Sequence, residues 1–195
     1  EISPSVIISE VADPGDVYQG RFVEIYNPTS AEVDLTGWQI RQYANDNTSS
    51  NDVDLSGTIA SGEALTIAYN ESDFTTQYGF APDFSSGNIS GNGDDTYELF
   101  DGSNVVDIYG EVGVDGSGEA WEYEDSHAVR KSNISVGKAV WQSGEWTITS
   151  ADVADMTPGV HECDLPVQAE LALSAGEALT EENLDSNFLT LTLSN

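Results

Sequence analysis

Positive charge is what this chain has least of. Five Lys and Arg stand against 35 Asp and Glu in 195 residues, a formal net charge of -30. A surface that holds nucleic acid neutralises phosphates with clustered Lys and Arg, and here only Arg130 and Lys131 sit side by side. Direct nucleic-acid binding is therefore not expected. Self-repulsion on this scale opposes compaction at low ionic strength, which suits a solvated surface in a salty or extracellular milieu, with bound divalent cations as the sharper alternative. Cys163 is the single cysteine, so no internal disulfide can form. No window approaches the roughly 18 to 20 apolar residues of a membrane span. An initiator Met and a leader-type charged and apolar run are both missing, so the chain is expected to begin after a removed leader or at a cut edge.

Enzyme signatures are equally scarce. There is no G-x-S-x-G, no H-E-x-x-H and no phosphate-binding glycine loop, and the only candidate bases are His127 and His161. His161 lies two residues from Cys163, but adjacency in sequence does not make a nucleophile and base pair. A non-catalytic role is expected. No amphipathic helical pattern of ten residues or more precedes residue 175.

What is present is a series of short β-branched and aromatic runs separated by Gly, Asn and Asp turns. Ser5 to Ala12 (SVIISEVA), Arg21 to Tyr26 (RFVEIY) and Asp34 to Ala44 (DLTGWQIRQYA) read as the first three strands. Alternation in the third places Trp38, Ile40 and Gln42 on one face and Gln39, Arg41 and Tyr43 on the other, with Trp38 as the expected core centre. Val53 to Ile59 and Glu63 to Tyr69 follow as strands, and Glu71 to Gly91 reads as a long crossover with one helical turn. The stretch from Asn92 to Asn133 then organises the rest. Its YELF and VVDIYG segments, joined by an Asp-Gly turn, form a hairpin opening into a long loop that ends in AWEYEDSHAVRK. Ala139 to Trp141 and Glu145 to Thr149 are expected to close the sheets.

Many short strands at this spacing predict an all-β fold, an antiparallel β-sandwich over residues 1–163. Residues 164–195 change character. Val167 to Ser174 and Phe188 to Leu193 read as strands flanking a short helix or turn, Gly176 to Asn183, and are expected to open a following β-domain. The alternative is that they complement a neighbouring copy by edge addition, giving homotypic assembly.

Acidic, Gly-rich turns supply oxygen ligands, so calcium is the one cofactor the sequence suggests, with Asp13, Asp16, Asp94 and Asp95 as candidate ligands. None of these loops has the spacing of an EF-hand. The acids of AWEYED, Glu122 and Glu124 beside Trp121 and Tyr123, are the nearest approach to a glycosidase pair, but a loop whose Trp packs on the sandwich edge explains them more simply.

SVIISEVA followed by FVEIYNPTSAEVDLTGWQI resembles the opening of the lamin tail domain, an immunoglobulin-like antiparallel β-sandwich, in which an I-x-E strand precedes an E-I-Y-N-P turn and a D-L-x-G-W strand. GNGDDTYELFDGSNVVDIYGEVGVDGSGEAW, HAVRKSNI, EWTIT and TPGVHEC are similar to the version of this domain in secreted bacterial proteins, extracellular nucleases among them. The resemblance covers roughly Ser5 to Cys163. It implies an extracellular spacer, tether or binding module acting with other domains of its polypeptide or with cell-surface proteins and glycans. It also implies an accessory role in nucleases whose catalysis lies elsewhere, and a structural role for Glu10, Glu24 and Arg130. The expected form of that role is a pairing of Arg130 with Glu24 or Glu10 that pins the long loop to the sheet.

Overall fold

In the computed structural model, which describes residues 5–164, the β-branched runs SVIISEVA, RFVEIY and EALTIAY lie in or beside paired strands. The strands are β1 (Ile7–Asp13), β2 (Phe22–Tyr26), β3 (Val33–Asp34), β4 (Gln39–Tyr43), β5 (Asn51–Asp54), β6 (Thr58–Ile59) and β7 (Ala64–Ala68). Helix α1 (Glu71–Tyr78) leads to β8 (Phe84–Ser85), β9 (Thr96–Phe100), β10 (Val105–Tyr109), β11 (Ser126–Arg130) and β12 (Trp146–Ser150). A large sheet runs β12-β11-β1-β2-β7-β8, a small one β10-β9-β4-β5, and β3 pairs with β6 as a clip. All pairings are antiparallel except that of β7 with β8.

The two larger sheets share one core, in which Ile8, Val23 and Ile25 of the large sheet join Ile40, Leu99 and Tyr109 of the small one. Each such side chain, fully buried, contributes about 1.5 to 3 kcal/mol. The fold is the all-β sandwich that the turn spacing predicts, of the immunoglobulin-like kind that the resemblance implies. Alternation sends Ala12, Phe22 and Ala68 to the opposite face of the large sheet, where Phe74 of α1, Ala151 and Met156 cover them. Because the sheet is covered on both faces, β1 and β2 are buried along their whole length.

The differences from the sequence reading have local causes. Trp38 is not the core centre. The DLTGWQIRQYA run is cut by a turn in which Trp38 N–H donates to Leu35 O at 3.0 Å, and Trp38 lies partly buried at the margin of the core. The centre is Tyr109, packed edge-on against Trp121, Tyr123, Trp141 and Trp146, its hydroxyl donating to Trp121 O at 2.7 Å. The Val53 to Ile59 run also divides, into β5 and β6.

The crossover holds two helical turns rather than one. Eight residues are too few for a stable isolated helix, so α1 relies on its Asn70 cap and on Phe74, edge-on to Phe22 at 5.9 Å. SHAVR, read as the end of a loop, is strand β11, whereas Ala139 to Trp141 is not a strand. The expected strands Val167 to Ser174 and Phe188 to Leu193 lie outside the described residues.

Two glycines at positive φ separate a conformational requirement from a packing one. Gly37 (φ +83°) has open space where a Cβ would sit, while at Gly93 (φ +99°) a Cβ would overlap the backbone of Glu124. Gly37→Ala is expected to cost about 1 to 2 kcal/mol, the left-handed penalty alone. Gly93→Ala adds overpacking of similar size, for about 2 to 5 kcal/mol. Urea unfolding of both variants checks the ranking.

Candidate functional site

Two clusters of buried charge lie on opposite faces of β1. The first joins the sheets. Asp107 of β10, fully buried, points at the large sheet, and Arg130 of β11 points back. The Arg130 guanidinium donates to Asp107 Oδ2, to Glu145 Oε2 at 2.7 Å and to Ile8 O at 3.2 Å, and lies over the Trp146 ring at 4.1 Å. Ile8 N–H donates to Asp107 Oδ2 at 2.8 Å and Lys138 N–H to Oδ1 at 2.9 Å, so both carboxylate oxygens are engaged. Lys138 Nζ completes the set on Glu145 Oε1 at 2.5 Å. Burial pushes the Asp107 carboxyl up from its ordinary range, and the charge and hydrogen bond of Arg130 oppose that.

The second cluster lies under residues 156–163, a strap that crosses the outer face of the large sheet. Glu10 and Glu24 are cross-strand partners, and a bulge at Ser9 lets two successive side chains of β1 approach Glu24. Glu24 Oε1 accepts from Ser9 Oγ at 2.7 Å and Oε2 from Gly159 N–H at 2.6 Å. Glu10 Oε1 is 2.8 Å from His127 Nδ1, and its Oε2 accepts from Thr157 Oγ1 at 2.8 Å. Burial raises the Glu24 carboxyl from 4.5 to about 8, with the neighbouring Glu10 charge adding to the effect. Burial, aided by the Arg130 charge, lowers His161 to about 4, with its ring against that of Tyr26 at 4.9 Å.

The expected pairing of Arg130 with Glu10 or Glu24 is therefore corrected. Arg130 and Ala128 face the core, and the glutamates face the strap, with the sheet between them. Sequence alternation could have shown this only if β11 had been recognised as a strand. All three side chains are buried. Asp107 and Glu145, the actual partners of Arg130, escaped the sequence reading because each sits in an ordinary-looking strand or turn. Cys163 and His161 are not coupled: the thiol donates to Ile134 O at 3.5 Å and burial pushes its pKa up.

The four aspartates named as calcium ligands occupy separate places. Asp13 holds Arg21 at 2.5 Å, and Asp16 accepts from Val153 N–H at 2.9 Å. Asp95 accepts from Gln42 Nε2 and Asn45 N–H, both at 2.8 Å. Asp94 Oδ2 accepts from Ser117 Oγ at 3.2 Å, bringing the 92–95 and 115–119 loops together, and its Oδ1 is buried with no hydrogen-bond partner. Among the described residues no three His, Cys, Asp or Glu side chains are arranged to hold a metal ion. In AWEYED, Trp121 and Tyr123 are buried in the core, and Glu122 accepts from Gly118 N–H at 3.0 Å. Among the described residues no helix is long and apolar enough to cross a membrane.

The architecture defines an immunoglobulin-like β-sandwich whose interior charges are tied to one another. The family model described as Lamin Tail Domain matches residues 2–113, and the chain belongs to the lamin tail domain family. No curated protein matches the sequence. Residues beyond the match supply β11, β12 and the strap, and with them Arg130 and Glu145.

Proposed function

We propose that the chain serves outside the cell as a non-catalytic module of a multidomain protein, a spacer, tether or binding unit between other domains and surface proteins or glycans. The observation that carries this reading is the condition of its buried acids. Glu10, Asp13, Glu24, Asp95, Glu98, Asp107 and Glu145 each accept at least one hydrogen bond from within the sandwich. Carboxylates held in this way brace the fold and are poorly placed to carry a proton to a substrate. The large acidic surface favours solubility and discourages association with polyanions. The same module would suit an extracellular hydrolase as an accessory unit whose chemistry lies in other sequence.

Purified chain incubated with DNA and with polysaccharides is expected to turn over neither, and turnover lost on removal of a single buried acid would overturn the reading. Calcium, as the cation of the acidic loops, is a separate part of the proposal. It is expected to raise the melting temperature relative to chelator, since a ligand of the folded state stabilises by mass action. An unchanged melting temperature retires it.

A further inference from the structure

Beside the edge strand β10 lies a cleft of about 450 Å³ that neither charge cluster uses. Its apolar wall includes Ile108, Trp121, Val140 and Trp141, and its acids are Glu98, Glu111 and Glu119. Val140 is exposed, at 69 %, and forms the outer part of that wall. Glu98 is 8 % exposed and held by the Tyr43 hydroxyl at 2.7 Å through Oε2.

No Lys or Arg side chain of the chain forms an ion pair with these acids. All five of its Lys and Arg side chains fall within the described residues, and each is engaged elsewhere. Arg21 is on Asp13, Arg130 on Asp107 and Glu145, Lys138 on Glu145, and Lys131 on Gly144 O. Arg41 stands directly opposite Glu98 in the β4–β9 pairing, yet its guanidinium donates to Gln39 Oε1 and lies 3.4 Å from the Phe100 ring centroid, making no ion pair. An apolar wall beside unpaired carboxylates is complementary to one kind of side chain, an aliphatic stem ending in a cation. A hydrated metal ion gains nothing from the wall. A neutral sugar gains nothing from the charge.

We propose that this cleft docks an arginine or lysine side chain of a basic segment of a partner protein, the stem against Val140 and Trp141 and the cation toward Glu98, with Glu111 and Glu119 at the rim. The inference deepens the binding role proposed above, and its failure leaves the spacer role standing. The carboxylates recognise the charge, and Val140 with the partly buried Trp141 covers the stem. Steering by the acidic surface accelerates encounter with basic partners and weakens with salt.

The test must separate the cleft from diffuse charge, because a chain of this net charge attracts any polycation. The probe is a short peptide with one arginine among small apolar residues, followed by tryptophan fluorescence and calorimetry with the whole chain. Glu98→Gln combined with Glu119→Gln is expected to weaken binding about tenfold or more, equivalent to about 1.4 kcal/mol. The control pair Glu32→Gln and Glu71→Gln, equal in charge change but remote, is expected to weaken it less than about twofold. Val140→Lys alters an exposed position that the fold does not depend on and is expected to abolish binding by placing a cation in the cleft. A peptide with citrulline in place of arginine is expected not to bind. Equal loss in the control pair, undiminished binding by Val140→Lys, no binding at all, or tighter binding of a neutral oligosaccharide would each overturn the proposal.

Discussion

Arg130→Met is expected to destabilise the protein by about 3 to 5 kcal/mol, a large part of the 5 to 15 kcal/mol typical of a domain. Its Asp107 partner is 0 % exposed and lies between the sheets, where water cannot replace the lost guanidinium. Methionine fills most of the volume, so the loss reports uncompensated charge and broken hydrogen bonds rather than a cavity. The backbone donors from Ile8 and Lys138 remain on the carboxylate, which is why unfolding should be costly but not complete. Adding Asp107→Asn removes the stranded charge, and the pair should recover about 0.5 to 3 kcal/mol as a coupling energy. Arg130→Lys should not restore stability, because one ammonium cannot reach Asp107, Glu145 and the Ile8 carbonyl in the planar arrangement of the fork. Urea unfolding measures all three, and a cost below about 1 kcal/mol for Arg130→Met would show that the network is not what joins the sheets.

Stability is expected to rise as pH falls from 8 to 6.5, the reverse of ordinary acid destabilisation. Burial moves the Glu24 carboxyl from 4.5 to about 8, so in that interval the folded chain holds a proton that the unfolded chain has released. The folded state then binds more protons, and its contribution, complete below 4.5, is lost as pH rises through about 8. One proton is worth about 1.4 kcal/mol per pH unit when fully held, and because the carboxyl is half protonated at about pH 8 the gain from pH 8 to pH 6.5 is about 1.6 kcal/mol. His161 acts with opposite sign. Lowered from 6.5 to about 4, it contributes stability above 6.5 that is lost as pH falls toward 4. Between 4.5 and 6.5 the two slopes oppose each other, giving a plateau and then a decline in acid.

Glu24→Gln isolates the glutamate. Its amide can accept from Gly159 N–H and donate to the Ser9 hydroxyl, which accepts as readily as it donates. The variant should keep the strap in place, gain about 4 kcal/mol at pH 8 and lose the slope between pH 6.5 and 8. Unchanged pH dependence in this variant would sink the assignment. The neighbouring carboxylate keeps its own partners, His127 and Thr157, in either case.

The fold was legible where side-chain alternation carried apolar residues. The runs of β1, β2, β7, β9 and β10 are read from the sequence almost to their ends, and the Asp101-Gly102 turn forms as its residues dictate. β11 was hidden because its inward positions are Ser126, Ala128 and Arg130, which do not look like a buried face. Glu10 and Glu24 stood out because an ionisable residue amid strand patterns must be paired or exposed, whereas Arg130 was visible only through the family resemblance. Its partner was not.

The sequence by itself determined that this chain is an acidic β-sandwich, because composition and period-two patterning are local properties, and its turn motifs carried the resemblance to the lamin tail domain. Which face each charge occupies was decided only by the tertiary structure. A one-residue change in where a strand begins sends every side chain to the other side of the sheet. Contacts such as Ile8 with Asp107, or Glu24 with Gly159, also join residues about a hundred positions apart or more. No local pattern encodes such pairs. They exist because two sheets and a strap close on one another.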